Sequence, residues 1–126
     1  MDGFNFFYCF MMSAAVRLHP HKAGDVWPGL SSVVIKVDGV PLDLTGTVVE
    51  MHFKRYVGDA LPALALGSEG EGIVVREDAT AGTFSVPARV VGLRPGRYFW
   101  ELQVRTGVER VTYAGGTWEI MPEVVL

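Results

Sequence analysis

The sequence predicts an all-β fold, a sandwich of seven to eight short antiparallel strands. Several short segments alternate apolar and polar residues with the two-residue period of a strand. No stretch of 11 or more residues without Gly or Pro has the apolar periodicity of a helix. Turn residues recur at intervals that are typical of antiparallel β-sandwiches. The 126 residues fit one domain, since a chain near this size buries roughly two thirds of its unfolded surface.

Residues 1–12 are interpreted as an apolar arm or an upstream-start extension, ahead of a domain spanning 13–126. The run FNFFYCFMM precedes small residues, as in a secretory signal, but no Lys or Arg precedes it. It is also shorter than the roughly 20 residues of a membrane span, so no membrane partner is expected. Translation could start at Met11 or Met12, or the arm could dock on a neighbouring subunit. If the arm links subunits, a chain that lacks residues 1–12 should form a smaller species in light scattering than the full chain does.

The first half of the domain contains three predicted strands. Residues 14–18 form a short strand that a His-Pro-His run ends, and 22–30 form an irregular loop. Residues 32–37 are rich in β-branched side chains and lead into Asp38-Gly39, a dipeptide that favours a tight hairpin turn. In the strand over 47–55, the core-facing positions are Val49, Met51 and Phe53.

The second half adds shorter elements. Pro62 makes residues 60–66 an edge strand or an irregular connection. Further short strands are predicted over 73–75 and 83–86, and a longer one ends near residue 105. Two more are predicted over 109–114 and 117–120, and Gly115-Gly116 is expected to break the chain between them.

The segment from Leu93 to Val104 indicates the architecture most directly. Pro95 presets a turn and Gly96 tolerates a positive φ. The strand after it alternates Tyr98, Trp100, Leu102 and Val104 with more polar residues. A Tyr just after a Pro-Gly turn, with Leu93 five positions earlier, predicts a tyrosine corner, in which the phenol bonds back to the backbone.

Composition excludes some functions and favours self-association. A net charge of −3 and a pI near 5.5, without a run of Lys or Arg, give no surface for nucleic acid. The single cysteine, Cys9, cannot form an internal disulfide, which fits synthesis in a reducing cytoplasm. Because 49% of residues are hydrophobic, we expect partners to cover part of the surface, including other copies of the chain.

No residues combine into a catalytic or cofactor site. His19 and His21 have the spacing of two metal ligands on a strand, but Pro20 and the lack of a third ligand favour a solvated loop. The acidic residues fall in turns, where they are expected anyway. We therefore predict no enzyme activity, cofactor or metal.

The aromatic residues leave one candidate contact. Trp27, Tyr56, Trp100, Tyr113 and Trp118 could form a sugar-stacking platform, whereas core packing is the simpler interpretation. Trp100 and Trp118 occupy inward strand positions. Trp27, in a Gly-Pro loop, is the predicted partner contact.

Several motifs occur together in one order. The run Asp38-Gly39-Val40-Pro41-Leu42-Asp43-Leu44-Thr45-Gly46 is the most specific, and a strand ending in Arg55, Gly82-Thr83-Phe84, Leu93 to Trp100 and a closing Gly115 to Ile120 strand follow it. Together these motifs, from about residue 24 to 125, resemble the immunoglobulin-like domain at the N-terminus of phage baseplate upper proteins. In this run Asp38-Gly39 closes a hairpin, Asp43 or Thr45 can bond local amides, and Gly46 permits the next turn.

The resemblance implies an immunoglobulin-like β-sandwich in the tail or baseplate of a tailed phage or prophage, made in the host bacterial cytoplasm. Its partners would be other virion proteins and copies of itself, bound through sheet faces, edges or loops in a symmetric or ring-like arrangement. The alternative is a carbohydrate or cell-surface binding module, which shares the architecture and uses an aromatic patch.

Overall fold

A computed structural model describes residues 4–9, 14–15 and 18–123, and these residues form an all-β sandwich. This confirms the predicted fold class. The described residues contain thirteen strands, one short 3-10 helix at Ala79–Ala81, and no α-helix. The strand count exceeds the predicted seven or eight because six of the strands are pairings of only two residues.

Two sheets face each other. The front sheet has the order β2-β13-β12-β7-β8, with β3 also beside β13, and the back sheet has the order β1-β5-β10-β9, with β6 also beside β5. A two-stranded ribbon pairs β4 with β11. The front strands are β2 (Ala14–Ala15), β3 (His21–Lys22), β7 (Val48–Lys54), β8 (Leu64–Gly67), β12 (Gly96–Thr106) and β13 (Glu109–Met121). The others are β1 (Phe4–Cys9), β4 (Val26–Trp27), β5 (Leu30–Val37), β6 (Val40–Pro41), β9 (Val74–Val75), β10 (Thr83–Val86) and β11 (Arg89–Val90).

The core lies between the two sheets. As predicted, β7 alternates, and its inward side chains Val49, Met51 and Phe53 are fully buried. Trp100 on β12 and Phe84 on β10 are also buried, so both sheets contribute to one hydrophobic layer. The two-residue strand period in the sequence is thus the cause of the layered packing.

The tyrosine corner is present. The Tyr98 hydroxyl donates a hydrogen bond of 2.8 Å to the carbonyl oxygen of Arg94, and Leu93 is buried below it. The bond ties the start of β12 to the turn that precedes it, which confirms the predicted architecture of this segment.

The Asp38-Gly39 hairpin is also confirmed. Asp38 and Gly39 have φ values of 53° and 80°, and Val37 pairs with Val40 across the turn. Two successive positive φ values belong to the type I′ turn, whose twist matches that of the flanking strands.

Three local predictions were wrong or incomplete. The loop predicted over 22–30 contains β4, which pairs with β11, and the run around His21 contains β3, which pairs with β13. Strand β13 continues through Gly115-Gly116 instead of breaking there. The irregularity in β13 is a bulge nearby, where Leu102 pairs with Ala114 but Gln103 pairs with Thr112. Of the strand predicted over 14–18, Ala14–Ala15 forms a strand, and residues 16–17 lie outside the described part.

The segment before β5 contacts both sheets. Strand β1 runs parallel to β5, with Phe4 opposite Ser32 and Cys9 opposite Val37. Strands β2 and β3 run parallel to β13 in the other sheet. The arm predicted over 1–12 therefore includes a strand that pairs within its own chain, and residues 1–3 and 10–12 lie outside the described part.

Candidate docking surface

The predicted fold-keeping residues lie where the motif implies. The backbone N–H of Thr45 donates to Oδ1 of Asp43 at 2.9 Å, and Gly46 has a φ of 70°. The side-chain and backbone hydrogen bonds from Thr45 lower the pKa of Asp43, because they favour the carboxylate form. This local bonding sets the turn that leads into β7.

Gly96 has a second role that the sequence did not reveal. It has a φ of 147°, and a Cβ at this position would overlap the guanidinium of Arg55. Nη1 of Arg55 donates to the carbonyl oxygen of Arg97 at 2.9 Å, and its guanidinium carbon lies 5.5 Å from the ring centroid of Tyr98. Arg55 therefore joins the end of β7 to the tyrosine corner through the space that Gly96 leaves.

The prediction of Trp27 as a partner contact was wrong. Its side chain is only 6% exposed, and its ring centroid lies 5.0 Å from that of Trp118. Trp118 is buried, as predicted, and its Nε1 donates to the carbonyl oxygen of His19 at 2.8 Å. The pairing of Trp27 with Arg89 across the β4–β11 ribbon holds the indole over the core, so it offers no surface to a partner.

The two histidines weighed as metal ligands have different environments. His21 is buried, stacks on Trp118 at 5.9 Å between centroids, and has Nε2 3.0 Å from the carbonyl oxygen of Asp25. His19 is exposed. Within residues 18–123 and the two described N-terminal strands, no group of three or more His, Cys, Asp or Glu side chains could hold a metal ion. His21 thus has a packing role.

A network of charges covers part of the front sheet. Oε1 of Glu50 lies 3.7 Å from Arg105 and 3.6 Å from Arg110, and Arg105 also lies 3.4 Å from Glu69. The Glu50 side chain is 18% exposed, whereas Glu69 is 70% exposed. Such exposed pairs orient side chains and add little stability. Arg105 and Arg110 thus place two positive charges beside the partly buried carboxylate of Glu50.

The loop between β7 and β8 exposes unusually large apolar side chains. Tyr56, Val57 and Leu61 are 65%, 69% and 80% exposed. A turn fixes the loop, because Tyr56 N–H donates to Oδ2 of Asp59 at 3.1 Å and Asp59 N–H donates to the Tyr56 carbonyl at 3.0 Å. Single exposed apolar residues are common, whereas these three lie within six positions of each other in one loop.

A shallow depression continues this apolar area onto the front sheet. It has a volume of about 360 Å³, and its lining includes Val57, Phe99 and Gly115-Gly116. Phe99 is 37% exposed, and the two glycines beside it carry no side chain that would fill the space. We call Tyr56, Val57, Leu61 and Phe99 together the loop surface. It has the apolar character of the centre of a protein interface.

Sequence reasoning found the loop surface only in part. Tyr56 was a candidate for an aromatic platform. Residues 60–66 were predicted as an edge strand or an irregular connection, and both occur, because 60–63 are irregular and β8 begins at Leu64 on the edge of the front sheet. Val57, Leu61 and Phe99 were not singled out. The available signal was the pair Tyr56-Val57 placed directly before a Gly-Asp turn, where polar residues are the rule.

In comparisons with known proteins, no family model and no curated protein matches this chain. Within the part of the chain that the structure describes, no helix has the length and apolar character needed to cross a membrane.

Proposed function

We propose that this chain is an immunoglobulin-like structural component of a tailed-phage or prophage particle, acting in tail or baseplate assembly by docking to other virion proteins and to copies of itself. In this proposal the protein performs no chemical reaction, and its residues serve the fold and the contact surfaces. The resemblance of the Asp38 to Gly46 run and of the corner strand to baseplate domains provides the biological context.

The strand order supports the immunoglobulin-like assignment. The front sheet places β13, β12, β7 and β8 side by side, which is the G-F-C-C′ order of a variable-type domain. The back sheet places β5, β10 and β9 side by side, which is the B-E-D order. The tyrosine corner at the start of β12 also occupies the strand F position in that scheme.

The observation that carries the docking role is the loop surface. The backbone from Tyr56 to Asp59 is held by a hydrogen-bonded turn, so little backbone entropy is lost there when a partner covers Tyr56 and Val57. Phe99 and the depression beside Gly115-Gly116 extend the area across the sheet. A preformed apolar surface of this kind favours binding to another protein.

The virion role can be tested on particles. An antibody raised against the purified chain should label the tails of particles released by the source bacterium after prophage induction, in immunogold electron microscopy. Mass spectrometry of density-purified particles should detect the chain, and an antibody against a cytoplasmic enzyme of the host is the control. Particles that contain tails but no trace of this chain would overturn the proposal.

Carbohydrate binding remains the second candidate, favoured by the exposed rings of Tyr56 and Phe99. Because Trp27 is buried, the residue to substitute in a test of glycan binding is the exposed Tyr56. A glycan array should show binding that Tyr56→Ala abolishes if this candidate is right. An array without signal, together with labelled phage tails, supports the structural role.

A further inference from the structure

Arg55 contacts two tyrosine rings at the point where the front sheet meets the β7–β8 loop. Its guanidinium carbon lies 5.5 Å from the ring centroid of Tyr98 and 5.8 Å from that of Tyr56. Both distances are within the roughly 6 Å over which a cation is attracted to the face of an aromatic ring. One cation therefore connects a ring of the core with a ring of the exposed loop.

The core side of this contact is fixed. Tyr98 is only 4% exposed, and its hydroxyl donates to the carbonyl oxygen of Arg94. The Arg55 guanidinium also donates to the carbonyl oxygen of Arg97 and occupies the space beside Gly96. Three consecutive residues at the start of β12 thus determine where the cation lies.

The loop side of the contact is exposed. Because the Tyr56 side chain is 65% exposed, neighbouring side chains enclose little of its ring. The hydrogen bonds between Tyr56 and Asp59 fix the main chain of the turn, but they do not set the side-chain torsions of Tyr56. The guanidinium of Arg55 supplies a contact that does.

The position of the Arg55 cation is not set by a carboxylate. In the ion pairs between residues that the structure describes, the cations are Arg89, Arg105 and Arg110, and Arg55 takes part in none. Arginine suits contacts with rings and a carbonyl, because the planar guanidinium stacks on an aromatic face while its N–H groups donate at the edge.

We propose that Arg55 is a positioning residue, which holds the exposed ring of Tyr56 and its turn in one arrangement relative to the tyrosine corner. A partner that contacts Tyr56 then meets a ring that is already ordered, so less side-chain entropy is lost on binding. The proposal concerns the free chain, goes beyond the docking function and does not depend on it.

The first test replaces the cation. Arg55→Met keeps a long apolar side chain but removes the charge and the N–H donors. Arg97→Met is the matched control, because it makes the same change at an exposed neighbour whose backbone carbonyl, and not its side chain, contacts Arg55. Arg55→Lys keeps the charge and lacks the planar group.

Amide hydrogen exchange measured by NMR gives the readout. The amides of Tyr56 and Asp59 donate the two hydrogen bonds of the turn. In Arg55→Met they should exchange roughly 2- to 5-fold faster, the change expected from the loss of one exposed cation–π contact. Arg97→Met should leave both at the wild-type rate, and Arg55→Lys should restore part of the protection.

A merely structural role of Arg55 would give a different pattern. It would accelerate the slowest amides of β7 and β12, which exchange through global unfolding. The amides of the turn exchange through local opening, so their rates would not change. Unchanged rates at Tyr56 and Asp59 in Arg55→Met therefore overturn the proposal.

A second measurement does not require a variant of Arg55 that folds. Tyr56→Leu changes an exposed residue, so the fold should be retained. The variant removes one of the two ring currents that act on the Arg55 side chain, and the NMR resonances of the side-chain protons of Arg55 should move. If they stay at their wild-type positions, the Tyr56 ring does not contact the cation and the proposal is wrong.

Two further results would also contradict it. If Arg97→Met accelerates the turn amides as much as Arg55→Met does, the effect belongs to the net charge of this region. If Arg55→Lys protects the turn no better than Arg55→Met, a cation beside the ring is not the cause. Finding or missing the chain in phage tails changes none of these measurements, so the virion role and the role of Arg55 can fail separately.

Discussion

The tyrosine corner allows a sharp prediction, because Tyr98→Phe removes one hydroxyl and leaves the ring in place. The lost bond is the 2.8 Å contact with the carbonyl of Arg94. The bond is part-buried, and its loss should cost the net value of one hydrogen bond, about 1 kcal/mol.

This cost can be expressed as a melting temperature. With an unfolding entropy of about 2.1 cal/mol/K per residue, the 126-residue chain should melt about 4 °C lower for 1 kcal/mol. Differential scanning calorimetry at constant pH measures the shift. Tyr56→Phe removes a hydroxyl from a 65% exposed ring and is the matched control, expected to change the free energy of unfolding by less than about 0.5 kcal/mol.

The comparison of the two variants tests the reasoning. If the melting temperature of Tyr98→Phe lies within about 1 °C of that of Tyr56→Phe, the hydrogen bond of the tyrosine corner is present but contributes no measurable stability to the fold.

Three further predictions concern single positions. Gly96→Ala should destabilise the fold by about 1–3 kcal/mol in urea unfolding, because a side chain is strained at the Gly96 φ of 147° and its Cβ would displace the Arg55 guanidinium; in an Arg55→Ala background only the φ strain should remain. Trp118→Phe should cost about 2 kcal/mol through the lost bond to His19 and lost packing, also by urea unfolding. The pKa of Asp43 is lower in the folded state than its ordinary 3.8, so its contribution is complete above the unfolded pKa and disappears as pH falls through the folded pKa. The melting temperature should therefore change less between pH 2 and 5 in Asp43→Asn than in the wild type, because asparagine keeps an acceptor oxygen but not the charge.

The sequence predicted those parts of the fold that local signals determine. The alternation of Val49, Met51 and Phe53 identifies the buried face of β7 without any knowledge of its neighbours. The Asp38-Gly39 turn needs two positive φ values, which few other residue pairs accept. Both features depend on residues close together in the chain.

Predictions failed where distant pairing decided the outcome. Trp27 lies in a Gly-Pro segment that is irregular by local criteria, yet its pairing with Arg89 and its contact with Trp118 bury it. Similarly, Gly115 continues β13 because the strand pairs with β12 along its whole length. A Cβ on Gly115 would lie 3.1 Å from the carbonyl of Trp100, so the glycine permits a close backbone approach instead of a break.

The loop surface was also beyond sequence reasoning, for a different reason. Apolar residues such as Val57 and Leu61 are assigned to a core by default. The strand predicted over 47–55 already ends before Val57, but only the folded chain shows that β8 begins after Leu61. The front-sheet residue Phe99 lines one depression together with Val57. Exposed apolar groups therefore become visible as a site only in three dimensions.

The placement of β2 and β3 beside β13 affects how the protein forms during synthesis. The hydrogen bond from Trp118 to the carbonyl of His19 joins two residues that are 99 positions apart in the chain. A ribosome adding about 5–20 residues per second needs roughly 5–20 s to make that stretch. The opening strands thus leave the exit tunnel well before their pairing partner exists, and the front sheet closes only when the final strand has been translated.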